Sequence, residues 1–233
     1  MLIDSHCHLD RLDLTAHDGS LDAALDAARQ RGVGKFLCIG VDAANAPAVK
    51  QIAEQYSDVY CSVGIHPLDL TRETPTDLDW LLHALDHPRV VAIGETGLDY
   101  HYEPEMAAQQ QISFNCHLQA ARQTGKPVII HTREARADTL NLLREADLPN
   151  AGVLHCFTED WDMARAALDM GYYISLVETA SPYLAPVPHR GKPNEPQFVC
   201  DVAAFLAELR GEPLEQLWQN TTDNFHRLFP LSV

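Results

Sequence analysis

Short, nearly continuous apolar runs alternate along this chain with longer stretches of helical period. The first run, Leu2-Ile3-Asp4-Ser5-His6-Cys7-His8, begins apolar and ends on two histidines. Lys35–Val41, Val59–Pro67, Val90–Glu95, Pro127–His131, Gly152–Phe157 and Tyr172–Thr179 are further predicted strands. Between them Leu21–Arg31 puts Leu21, Ala24, Leu25 and Ala28 on one helix face, with Ser20 as its N-cap. Ala46–Tyr56 accepts Pro47 in its first turn. Leu78–Leu85, Glu105–Gln123, Ala137–Glu145 and Trp161–Met170 are also helical in period, and Gly125 and Gly171 follow two of these as stops. The end, Pro196–Leu209 and Leu214–Phe229, is predicted helix. Strands without polar alternation, each followed by a helix, mean a parallel sheet covered on its faces. No linker or low-complexity tract interrupts the pattern. With 233 residues, 46% of them apolar, one core suffices, so residues 1–233 read as a single domain.

An open doubly wound sheet and a closed barrel both fit this alternation, and the polar residues discriminate. His6 and His8, Glu95, His131 and His155 fall at the carboxyl ends of four separate predicted strands. A barrel gathers such ends at one mouth, whereas an open sheet would hold them apart. The predicted fold is therefore α/β, a (β/α)8 TIM barrel. His6 and His8, two apart on a strand, present their imidazoles to the same side. Four imidazoles and a carboxylate suit two divalent cations, with Glu95 between them, His6 and His8 on one, and His131 and His155 on the other. Two such ions about 4 Å apart clamp the attacking and leaving oxygens of a phosphoryl group and generate hydroxide near neutral pH.

The formal charge of −16, from 33 acidic and 17 basic residues, argues against tight, sequence-independent binding of a polyanion. A metal site reverses the local field, so a phosphate-bearing substrate is still admissible. Arg133, His189 and Arg190 are the few cationic groups expected near the mouth, and with His66 they are the candidates for holding a phosphodiester. No apolar run reaches the length of a membrane span and the start lacks a basic, signal-like segment, so a cytoplasmic protein without a membrane partner is expected. The six scattered cysteines read as free thiols.

Several motifs occur in order: His6-Cys7-His8-Leu9-Asp10, Gly64-Ile65-His66-Pro67, Gly94-Glu95-Thr96-Gly97-Leu98-Asp99-Tyr100, His131-Thr132-Arg133, His155-Cys156-Phe157-Thr158, Ser181-Pro182-Tyr183-Leu184-Ala185-Pro186, Pro188-His189-Arg190-Gly191-Lys192 and Thr222-Asp223-Asn224-Phe225. Together they resemble the TatD family of metal-dependent deoxyribonucleases, among the amidohydrolase-like barrels. The resemblance runs almost end to end. It implies a monomeric nuclease using Mg²⁺, Mn²⁺ or Zn²⁺ that trims single-stranded DNA or 3′ ends, with a role in DNA repair. It also implies His6, His8, Glu95, His131 and His155 as ligands.

Two departures from the family pattern bear on activity. The family reads Glu-Thr-Asp-Ser-Pro near its last strand, the Asp being a ligand and proton acceptor, whereas this chain reads Glu178-Thr179-Ala180-Ser181-Pro182. Ala180 can neither ligate nor accept a proton, so a strongly impaired enzyme is expected. Upstream, Ile174-Ser175 runs directly into Leu176-Val177, where one βα unit of ~30 residues is missing from the barrel pattern. An engineered variant, a degenerate paralogue, or a segment left out of the numbering beside a deliberate Asp-to-Ala change would each give this sequence. The last predicts an abnormal Ser175–Leu176 join. The alternatives in function are an amidohydrolase-type lactone or amide hydrolase and a metal-holding pseudoenzyme that binds nucleic-acid ends.

Overall fold

The computed structural model describes residues 1–71, 76–229 and 231. Seven strands, β1 (Leu2–Cys7), β2 (Val33–Cys38), β3 (Val59–Val63), β4 (Val90–Asp99), β5 (Val128–Arg133), β6 (Gly152–Leu154) and β7 (Tyr173–Ile174), form one parallel sheet in chain order. Helices α1 (Leu21–Gln30), α2 (Ala46–Gln55), α3 (Leu78–Leu85), α4 (Ala107–Thr124), α5 (Arg136–Ala146) and α6 (Trp161–Asp169) connect successive strands. Two further helices, α7 (Val199–Arg210) and α8 (Leu214–Leu228), end the chain. Ser20 caps α1 by accepting from the Ala23 amide, and Gly125 ends α4 in the left-handed conformation.

Neighbouring strand residues enter different apolar clusters, as the two-residue period requires. Phe36 and Cys38 join Leu25, Val49, Phe114, Leu118 and Leu143 in the layer between sheet and helices. Leu37 and Ile39 join Ile3, Tyr60, Val91, Ile129 and Val153 on the inner face, where the end of α8 adds Phe225, Leu228 and Phe229. Burial on both faces is why the strands read as continuous apolar runs.

The barrel lacks its eighth βα unit. The tract read as one strand through Thr179 leaves the sheet after Ile174, and residues 175–180 are coil. A strand persists only where a ladder partner is offered, and here the chain crosses at once from β7 towards β1. The Ser175 amide still donates to the Leu154 carbonyl (2.9 Å), whereas the Ala180 amide donates to His6 O (2.8 Å) and the His8 amide to Ser181 O (2.8 Å). Residues 180–181 thus cover only the top of β1. At the Ser175–Leu176 join the peptide is not cis and neither residue has a positive φ. Below the crossing lies a cavity of about 220 Å³ lined by Ile3, Val153, Tyr173, Leu206, Leu217 and Phe225, among others. In a closed barrel this interior is filled by side chains. No helix among the described residues is long and apolar enough to cross a membrane.

Candidate metal centre

Glu95 is the centre of a buried cluster at the carboxyl ends of the strands. Its Oε1 lies 2.6 Å from His155 Nε2, 3.2 Å from His66 Nε2 and 3.4 Å from His131 Nδ1. Its Oε2 is 3.2 Å from His6 Nε2. The His6 ring stacks on His155 at 3.8 Å between centroids and meets His8 edge-on at 5.2 Å. Five side chains from four strands, and His66 from the exit of β3, are thereby brought together.

Close backbone approach makes this convergence possible. A Cβ on Gly97 would stand 2.0 Å from the His131 carbonyl oxygen, and one on Gly64 would stand 2.4 Å from Gly94 Cα. Only glycine lets β4 approach its neighbours so closely at the level of Glu95. Cys156 (φ 44°) and Ala180 (φ 51°) hold left-handed backbone beside the cluster, at a cost of about 1–3 kcal/mol each.

The electrostatics follow from burial set against charge. Burial by itself would raise the Glu95 carboxyl, but the surrounding His155, His66 and His6 hold it well below the usual carboxylate range. Burial opposes charging of His155 too, yet Glu95 and Glu178 lift it well above the ordinary imidazole value. His8 has no carboxylate so close, and burial lowers it to about 3. Burial, with His155 alongside, also lowers His6.

These residues fit divalent cations. Among the described residues the buried His6 Nδ1 and His8 Nδ1 find no hydrogen-bond partner, a costly state for polar atoms that a cation would relieve. Among the described residues three sets each have ligand atoms within 4.8 Å of one another: His6, His8 and Glu95; His66, Glu95 and His131; His6, His155 and Glu178. Imidazole with carboxylate suits Zn²⁺, Mn²⁺ or Fe²⁺ better than the all-oxygen sets of Ca²⁺. His66, expected only as a substrate-binding residue, lies with Glu95 and His131 in one of these sets, while His131 and His155 both reach Glu95 Oε1.

The remaining sequence candidates are placed as follows. Arg133, at the end of β5, lies over the Tyr102 ring at 5.0 Å, beyond His131 on the same strand. His189 stacks on Phe198 at 3.7 Å and is bonded to Asp201 (3.1 Å), which also pairs with Arg31. Arg190 is exposed. The Ala180 side chain is a buried methyl beside His6 and carries no donor or acceptor.

Asp99 and His117 had no role in the sequence reading, whereas Asp4 was expected either to orient a ligand histidine or to cap its strand. Asp99, fully buried, takes His131 Nε2 at 2.9 Å and so fixes which ring nitrogen faces Glu95. His117 on α4 accepts the Ile65 amide (3.0 Å) and donates to Ser113 O, anchoring the turn that presents His66. Asp4 accepts from the Thr179 amide (3.0 Å) and hydroxyl (2.6 Å), tying the crossing segment to β1. Asp99 lies in the motif around Glu95, the one signal available for it.

Against known proteins, the family described as "TatD related DNase" matches residues 3–176 and 175–230, two pieces that meet where the unit is missing. The chain is 44% identical to the uncharacterized metal-dependent hydrolase YcfH of Escherichia coli (strain K12) over 258 aligned positions, covering 100% of this chain and 97% of that protein. It is 32% identical to the uncharacterized metal-dependent hydrolase YabD of Bacillus subtilis (strain 168), with 100% of both covered. Those 258 positions against 233 residues leave about 25 without a counterpart here, close to the length of one βα unit. The crystal structure of YjjV, a TatD homolog from Escherichia coli K12, superposes with a TM-score of 0.90 at 30% identity, covering 99% of this chain and 98% of that one.

Proposed function

Since the chain belongs to the TatD-related DNase family and is a metal-dependent hydrolase by that membership, we propose that it acts on phosphodiester bonds of DNA. In this reading it works as a monomer on single-stranded 3′ ends, in the service of repair in the cytoplasm, and its rate is strongly reduced by Ala180. The observation that carries the proposal is the buried Glu95 carboxylate with ring nitrogens of His155, His66, His6 and His131 at 2.6 to 3.4 Å. Two divalent ions held there would supply Lewis acidity and a nucleophile at neutral pH. His6, His8, His66, His131, His155 and Glu95 would hold them. Asp99 keeps His131 in one tautomer, and Arg133, stiffened by Tyr102, is the cation offered to a phosphate at the rim. His189 is already committed to Asp201, so its part in binding would require exchanging that partner.

Ala180 removes the carboxylate expected at this position to take a proton from the attacking water, a loss of about 10²–10⁴ in rate. The test compares this chain with Ala180→Asp on single-stranded DNA labelled at either end, with Mg²⁺ or Mn²⁺. Aspartate is among the residues that tolerate the left-handed backbone at 180. Ala180→Asp is expected to release nucleotides from the 3′ end at least about 100-fold faster. A metal-loaded Ala180→Asp protein that leaves DNA intact would sink the nuclease reading. Hydrolysis of a lactone or amide in its place would move the substrate class, and retention of 3′ ends without cutting would make the chain a binding protein.

A further inference from the structure

We propose that Glu178 is a metal ligand in this chain, holding a cation with His6 and His155 and standing in for the carboxylate that Ala180 lacks. The inference rests on the cluster binding divalent ions, as above, and adds a ligand from the segment reshaped by the missing unit.

Glu178 is buried (8% exposed) among groups that fix its carboxylate from two sides. The Ser175 hydroxyl donates to its Oε2 at 2.5 Å and the Cys156 amide donates to its Oε1. Oε1 pairs with His155 Nδ1 at 3.4 Å. One ligand atom each of His6, His155 and Glu178 falls within 4.8 Å of the other two, the separation expected around a single ion. His155 Nε2 is already 2.6 Å from Glu95, so Nδ1 is the ring atom left for this side of the cluster.

The altered chain path explains why residue 178 does this. Residues 175–180 are coil, with Ala180 at φ 51°, and this path brings the Glu178 carboxylate to 3.4 Å from His155 Nδ1. Thr179 is tied to Asp4, and the coil from Ser175 draws Glu178 towards β6 instead of along β1. Glutamate is also one methylene longer than aspartate, which extends its reach. A cation among these three groups would also satisfy His6, whose buried Nδ1 has no hydrogen-bond partner among the described residues, which the His155–Glu178 pair alone does not.

The test is titration of the chelator-stripped full chain with Co²⁺, read by visible absorption and by metal content after equilibrium dialysis. Glu178→Gln keeps the size and an acceptor for the Cys156 amide, with the Ser175 hydroxyl turned to accept from the new amide group, but removes the charge. It is expected to weaken one Co²⁺ by at least about tenfold and to change the absorption bands, while Glu178→Gln with Ala180→Asp recovers the binding. Glu178→Asp, which withdraws the carboxylate by one methylene, serves if the amide variant does not fold and is expected to weaken the same ion. Unchanged affinity and spectrum in a folded Glu178 variant, alongside loss in Glu95→Gln, would overturn the assignment and leave the metal centre standing. Failure of the unaltered chain to bind Co²⁺ would overturn the metal centre itself and this assignment with it.

Discussion

The arc from β1 to β5 and the flank from β6 to β7 are built from the same kind of sequence but reach different packing. All ten residues of β4 are buried, and it pairs with β3 on one side and β5 on the other. By contrast, β7 has two half-buried residues and one neighbour, with a cavity of about 220 Å³ where its other neighbour would lie. The histidines follow suit. On the complete arc His131 is fixed by Asp99 on one ring nitrogen and approaches Glu95 with the other. On the flank His155 reaches Glu95 and Glu178, the latter held only by a coil. A closed ladder fixes ligands through backbone; an open one must use side chains.

The largest test of this contrast is core truncation. Phe36→Ala on the complete arc, where the side chain is fully buried, should cost about 3–5 kcal/mol in urea unfolding. Leu206→Ala, beside the existing cavity, should cost no more than about 2 kcal/mol, the low end for such a change. Equal losses would mean that the flank is as tightly packed as the arc.

Next comes the pH dependence of the arc's anchor. Burial lowers His117 to about 4, against about 6.5 in an unfolded chain. Between these values the unfolded chain binds a proton that the folded one refuses. The contribution of neutral His117 is therefore complete above pH 6.5 and is lost as pH falls towards 4, by about 3 kcal/mol. Unfolding measured at pH 7 and pH 4.5 should show His117→Gln losing less stability than the parent over that interval; parallel losses would remove His117 from the account.

Asp99→Asn tests the arc's hold on His131. It should weaken divalent-metal binding about 10–100-fold, measured by calorimetry, with little change in thermal unfolding of the metal-free protein. The smallest effect belongs to the cavity. Val153→Ile adds one methylene facing free space and should stabilise by up to about 0.8 kcal/mol. The same exchange at the fully buried Val63 should destabilise by about 1–3 kcal/mol. If both destabilise, the flank has no room.

By itself the sequence determined the alternation of strand and helix, because burial on both faces forces continuous apolar runs at regular spacing. It also determined that chemistry-bearing residues fall at strand ends. Short-range patterns carry both of these, and the resemblance to the family's motifs added that one unit and one aspartate are missing. Only the tertiary structure decided which atoms meet. Asp99 finds His131 across 32 residues, and His117 finds Ile65 across 52. Glu178 turns to His155 and His189 to Asp201, where spacing had suggested no task for the first and a phosphate for the second. Such pairings depend on strand register, close glycine contacts and the path of a coil across a gap. Those are set by packing between distant segments, which no local pattern encodes.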